Sequence, residues 1–228
     1  MVNGPAGSSQ SARSRRRGRP GYDLESLLGV AVTVFNERGY DGTSMEDLSG
    51  RLGISKSSIY YHVSSKEDLL ALALDRALDG LFAVADEVRA SEVPAIERLE
   101  RLVRASVGVL AERLPCVTLL LRARGNTSTE RRALARRREF DQIVADLVKE
   151  AEHDGDIRPD VDPAVTTRLL FGMVNSLVEW YRPGPLDTAA DRATELADAV
   201  CAVAFDGLRV GRPDSAGLTR RAGAGAGR

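Results

Sequence analysis

Between Lys56 and His62 the chain reads Lys-Ser-Ser-Ile-Tyr-Tyr-His, with six hydrogen-bonding side chains placed around one aliphatic residue, Ile59. A short helix anchored from behind by Ile59 would present Lys56, Ser57, Ser58, Tyr60, Tyr61 and His62 around that anchor. A helix that enters a DNA major groove needs this division: one inward apolar residue, and donors that reach base edges and phosphates. Lys56 can donate to guanine O6 and N7 or to a phosphate, and the hydroxyls of the tyrosines and of Thr43, Ser44 and Ser57 suit phosphate oxygens. Lys66, a few residues on, is positioned to hold the flanking backbone. Any one of these residues is as readily a solvated surface group. The ordered set is what points to nucleic acid.

Other chemistry finds few residues to carry it. Cys116 and Cys201 are isolated, and His62 and His153 lie far apart, so neither a metal site nor a disulfide framework is expected. There is no Gly-rich phosphate loop, no Gly-x-Ser-x-Gly elbow and no paired Cys–His, so the chain is expected not to be an enzyme and to need no cofactor. Of the 228 residues 43% are hydrophobic and 29% charged, as in ordinary soluble globular proteins. No apolar run is long enough to span a bilayer, and the arginine-rich start lacks the apolar core of a secretory signal; a cytoplasmic protein with no membrane partner is expected. The net charge is −1, but residues 1–20 hold five arginines and no acid, leaving −6 on the remainder.

The elements that must position the Lys56–His62 segment are helical. Residues 1–20, rich in Gly, Ser, Pro and Arg, read as a flexible basic arm. Leu24, Leu27, Leu28, Ala31, Val34 and Phe35 recur at helical spacing and stop at Gly39. Thr43 with Glu46, or Ser44 with Asp47, has capping-box spacing for a second helix whose buried stripe is Met45, Leu48 and Leu52. Gly53 interrupts it, Ser55 caps the third helix, and Ser64 with Glu67 suggests a cap for a long fourth helix. Two short helices joined through a glycine turn and braced by longer ones form a helix-turn-helix. Further helical segments are expected over roughly 104–114, 116–123, 129–153, 163–181 and 187–209, with breaks signalled near Pro94, at Leu114-Pro115, around Gly125, from Gly155 to Pro163 and at Arg182–Pro185. The fold class is therefore all-α: a helix-turn-helix domain over 21–72, a helical ligand-binding and dimerisation domain over 73–210, and a disordered tail over 211–228.

Residues 27–70 resemble the DNA-binding domain of the TetR (tetracycline repressor) family. The resemblance is carried by Leu27-Leu28, Ala31, Phe35, Gly39-Tyr40, Thr43-Ser44-Met45, Asp47-Leu48, Gly53-Ile54-Ser55-Lys56, Ile59-Tyr60-Tyr61-His62, Ser65-Lys66-Glu67 and Leu69-Leu70. Val30, Ser57 and Val63 stand where alanine, glycine and phenylalanine are common; Ser57 bears on operator choice. The resemblance implies a homodimer binding double-stranded, palindromic operator DNA, usually as a repressor, and released by a small-molecule effector. It implies DNA contacts from Thr43, Ser44, Lys56, Ser57, Ser58, Tyr60, Tyr61, His62 and Lys66. An arginine-rich stretch over 119–140 and the segment from Asn175 to Pro183, which holds Trp180, are similar to the acyl-coenzyme A-sensing branch, which would place Arg122, Arg124, Asn126, Arg137, Phe140, Asn175 and Trp180 around a ligand. Coenzyme A phosphates favour clustered arginines, and an acyl chain wants an apolar pocket; a solvated, acid-paired arginine face fits the same residues. The last two long helices would form the dimer interface through Leu169, Met173, Leu177, Leu196, Val200 and Val203. A hydrophobic drug or metabolite as effector, and a helical adaptor that has lost DNA binding, stay open as alternatives.

Overall fold

The computed structural model describes residues 23–184 and 186–207, and within these every regular element is a helix. The expected basic arm at 1–20 and tail at 211–228 lie outside the described residues. The first helix, α1 (Leu24–Arg38), starts because the Asp23 carboxylate accepts from the Ser26 amide at 2.8 Å, and it ends at Gly39. α2 (Met45–Leu52) opens on a reciprocal cap. The Ser44 hydroxyl accepts from the Asp47 amide at 3.2 Å, and the Asp47 carboxylate accepts from the Ser44 amide at 2.8 Å. Of the two spacings open in the sequence, the structure uses Ser44 with Asp47, and Glu46 is left facing outward. Gly53, at φ 64°, takes the left-handed turn that lets the chain reverse into α3 (Lys56–Tyr60), capped by Ser55. Each such cap is worth about 1 kcal/mol, which matters for helices this short.

α4 (Lys66–Arg89) begins one residue later than the spacing suggested. Ser65, not Ser64, is the cap, accepting from the Asp68 amide at 3.0 Å, and the Ser64 amide donates back to Asp68 at 2.9 Å. Glu67 is thereby freed for tertiary contacts. This helix runs without a break through the expected domain boundary at 72–73. α5 (Ala95–Glu112) starts directly after Pro94, well before residue 104. α6 (Leu114–Arg122) begins with Pro115 in its first turn, where a missing N–H costs nothing. α7 (Ser128–His153), α8 (Pro163–Trp180) and α9 (Leu186–Cys201) follow, and a single π-helical turn over Ala202–Asp206 ends the described chain at Gly207. Among the described residues no helix is long and apolar enough to cross a membrane.

Two apolar clusters hold the helices. The first runs from α1, α2 and α3 through the front half of α4 into α5, α6 and the ends of α8 and α9; Phe35, Leu48, Ile59, Leu70, Leu78, Val103, Leu120 and Leu177 all belong to it. The second lies between the rear half of α4, the front of α5, α7 and α8, around Phe140, Val144, Leu99 and Phe171. Gly80 lets α5 lie close against α4: a Cβ there would meet Val109 Cγ1 and the Arg113 guanidinium, each at 2.9 Å. Arg113 Nη1 donates across that gap to Arg76 O at 2.6 Å.

Candidate nucleic-acid interface

Ile59 is fully buried, so the five-residue α3 has one orientation and must turn its remaining side chains outward. Tyr60 is 50% exposed and Tyr61, at the C-cap, 86%. The Tyr61 ring stands edge-on to that of the half-buried His62, with centroids 5.2 Å apart. Ser57 and Ser58 are exposed; their hydroxyls each lie 2.8 Å from the Ser55 hydroxyl that caps the helix. Lys56, at the first position of α3, pairs with Glu46 of α2. The Glu46 carboxyl is held below its ordinary value chiefly by the hydrogen bond from Lys56, and Lys56 is correspondingly raised.

Three other expected DNA contacts sit differently. Ser44 is exposed, but its hydroxyl donates to Asp47 at 2.6 Å as part of the cap. Thr43 is buried, its hydroxyl donating to Gly39 O at 2.8 Å, so it holds the α1–α2 turn together instead of facing outward. Lys66 is half-buried and its ammonium donates to Tyr40 O at 2.9 Å and Thr43 O at 2.7 Å, 4.2 Å above the Tyr40 ring. It is a latch between α4 and the turn before α2, with at most one N–H left over. The outward set is therefore Ser44, Lys56, Ser57, Ser58, Tyr60 and Tyr61, with His62 at its edge and Glu46 added beside Lys56.

The residues expected around a ligand do not come together. Arg122, Arg124 and Asn126 lie at the α6–α7 junction: Arg122 donates to Asn36 O at 3.0 Å, and Asn126 reaches Asp41 at 3.4 Å. Three neighbouring arginines are already engaged. Arg131 donates to Gly125 O and Asn126 O, Arg132 pairs with Asp75, and Arg136 bridges Asp75 and Asp79 at 3.0 and 2.8 Å. Arg137 neighbours Asp141, whose carboxyl burial pushes upward and Arg137 and Arg168 pull back. Phe140 is core, edge-on to Phe171 at 5.3 Å. Asn175 is half-buried on α8, and Trp180 is 58% exposed at its end.

A cleft of about 910 Å³ lies elsewhere, between α5, the start of α6, the end of α8 and α9. It exists because facing positions are small: Gly108 and Ala111 on α5 against Ala193 and Ala197 on α9, with Tyr181 and Pro115 closing it. Its cation, Arg104, is already paired with Asp198 and with Glu100 at 3.3 Å. The repeat of alanines at 190, 193 and 197 was the sequence signal for this cleft. Pro115 also connects it to the reading head, because Asn36 Nδ2 of α1 donates to Pro115 O at 2.8 Å while Arg122 holds Asn36 O from the other end of α6. Asn36 Oδ1 is buried and has no partner among the described residues.

Of the expected interface residues, Leu169 (64% exposed) and Val203 (41%) face outward, and Met173 is half-buried. Leu177 and Val200 are buried in the first cluster, and Leu196 packs against it. The outward stripe of α8 is instead Val165, Leu169, Gly172, Met173, Ser176 and Trp180, while Leu170, Phe171, Val174 and Leu177 form the inward one.

Comparison with known proteins places this architecture. A family model described as bacterial regulatory proteins, tetR family, matches residues 27–73, and one described as tetracyclin repressor-like, C-terminal domain, matches residues 92–208, just over half of the chain. The chain belongs to the TetR family. The HTH-type transcriptional repressor KstR2 of Rhodococcus jostii (strain RHA1) is 30% identical to this TetR-family chain over 192 residues, 82% of the chain and 91% of the relative. A TetR-family regulator from Streptomyces coelicolor A3 superimposes with a TM-score of 0.76 at 59% identity, covering 82% of this chain and 92% of that one. AibR, solved in complex with isovaleryl coenzyme A and operator DNA, superimposes with a TM-score of 0.65 at 26% identity, covering 79% and 97%. This TetR-family member is thus a helix-turn-helix DNA-binding regulator.

Proposed function

We propose that the protein is a repressor that binds a palindromic operator as a homodimer and lets go when a small molecule enters the helical domain. The observation that carries this is the exposed reading face: Tyr60 and Tyr61 stand out from a helix that Ile59 locks in place, beside Lys56 and exposed serine hydroxyls. The outward apolar stripe of α8 supports the dimer, since contiguous exposed apolar surface of this kind marks an interface. Electrophoretic retardation of fragments from beside the protein's own gene tests the reading. A shift on a palindromic fragment that weakens steeply with salt is expected; no shift on any such fragment at low salt overturns it.

The effector is proposed to occupy the cleft between α5, α6, α8 and α9, whose volume lies in the range of ligand pockets. An acyl-coenzyme A thioester is supported by AibR, which carries isovaleryl coenzyme A, and by the apolar small-residue walls, which suit an acyl group. A second reading, an uncharged hydrophobic metabolite or drug, is favoured by Arg122, Arg131, Arg132 and Arg136 being spent on carboxylates and carbonyls. Thermal-shift measurements separate them: acyl- and aryl-CoA esters raising the melting temperature, with free coenzyme A inert, uphold the first. A response confined to phosphate-free hydrophobic compounds upholds the second.

A further inference from the structure

The register of the α2 cap has a chemical consequence. Because Ser44 pairs with Asp47, the carboxylate of Glu46 is not used in the cap and lies on the same surface as α3, bonded to the Lys56 ammonium. Both side chains stay accessible, Glu46 at 65% and Lys56 at 49%. An exposed ion pair of this kind contributes little to folding, so holding α2 against α3 does not explain it; buried Leu48, Leu52 and Ile59 do that. Asp47, the neighbouring acid, is occupied by Ser44 and by Arg38 at 3.2 Å, and Glu46 alone of the two faces Lys56. The outcome is a cation and an anion side by side at the N-terminal end of the reading helix.

We propose that Glu46 and Lys56 together read one G·C base pair in each operator half-site, Lys56 donating to guanine O6 and N7 and Glu46 accepting from the cytosine N4 amino group. The major-groove edge of a G·C pair runs acceptor, acceptor, donor, whereas an A·T pair runs acceptor, donor, acceptor, methyl. An ammonium bonded to a carboxylate complements the first order without giving up its own ion pair, and it meets a mismatched group and a methyl in the second. The carboxylate also keeps Lys56 from serving as an indiscriminate phosphate contact. This inference rests on the DNA-reading function proposed above and adds a specificity-determining residue to it.

The test is selection of a randomised double-stranded DNA library by the purified full chain, with the bound pool sequenced. Wild type is expected to enrich a palindrome that includes a G·C pair preferred by about tenfold or more in each half-site. Glu46→Ala and Lys56→Ala, assayed separately, should both relax that same pair to about twofold or less, on the order of what remains without a direct contact, and leave the other positions intact. Glu46→Lys, which keeps a good helix former and replaces the acceptor by a donor, should turn the preference away from cytosine there. It serves also if Glu46→Ala loosens α2. Glu97→Gln removes the same charge from α5 and should change nothing. The proposal is overturned if the two variants relax different pairs, or relax none, or if Glu46→Ala strengthens binding to all sequences equally with the motif intact. If wild type enriches no motif, the DNA-reading function falls and this inference with it.

Discussion

The ammonium of Lys66 donates to two carbonyls of the turn before α2 and rests on the Tyr40 ring, which itself packs edge-on against Phe35 at 5.3 Å. Tyr61 touches little beyond the edge of His62. Both residues belong to the family pattern, and spacing alone treats them alike; only burial separates a latch from a reader. Lys66→Ala is therefore expected to cost about 2 kcal/mol of stability, the scale of hydrogen bonds to a charged group that leave partners unsatisfied when removed. Thermal melting should show it with no DNA present. Tyr61→Ala should leave the melting temperature unchanged and weaken operator binding at least about tenfold, as loss of a direct groove contact does. Equal melting temperatures for the two variants would contradict this division of roles.

At the scale of elements, α2 uses the second of the two cap spacings open in the sequence and the α4 cap lies one residue past the expected Ser64, and each outcome frees a glutamate. Ser44–Asp47 frees Glu46 for Lys56; Ser65–Asp68 frees Glu67, which accepts from Thr129 Oγ1 at 2.8 Å, Ser128 Oγ at 2.9 Å and the Thr129 amide at 3.3 Å. Glu67 so ties the start of α4, inside the reading head, to the start of α7. These hydrogen bonds, led by that from Thr129, hold its carboxyl below the ordinary glutamate value of 4.5. A depressed value in the folded state means that the stabilisation is full above 4.5 and is lost as the pH falls through the folded value. Melting temperature measured against pH should drop across that acid window, and Glu67→Gln should start lower at neutral pH and show a flatter fall. The first helices were legible from stripes and stop signals, because Gly39 and Gly53 leave few options, whereas the first half of α5 was not expected before residue 104. Helix rotation was not legible for α8. It is apolar on two sides, so Leu177 looked as suitable for the outside as Leu169 until packing against α5 and α6 decided.

For the whole molecule, the first apolar cluster crosses from the reading head into the helical domain, and α4 spans both. The head is therefore not hinged on a linker. Pro115 in the cleft wall is bonded directly to α1 through Asn36. In the proposed homodimer, with each head fixed to its own body, operator spacing would be set by how the bodies join along α8. Leu169→Arg is accordingly expected to yield monomers by light scattering, with an unchanged helical spectrum and operator affinity reduced by at least about a hundredfold, since one half-site then binds alone. A dimer persisting in that variant would move the interface elsewhere. The chain has a single tryptophan, Trp180, and it lies on this same outward stripe. No other indole contributes to its emission, so ultraviolet fluorescence reports one spot. Diluting the protein through its dissociation range should shift the emission to the red as water reaches the ring, giving an association constant from the native chain without any attached dye.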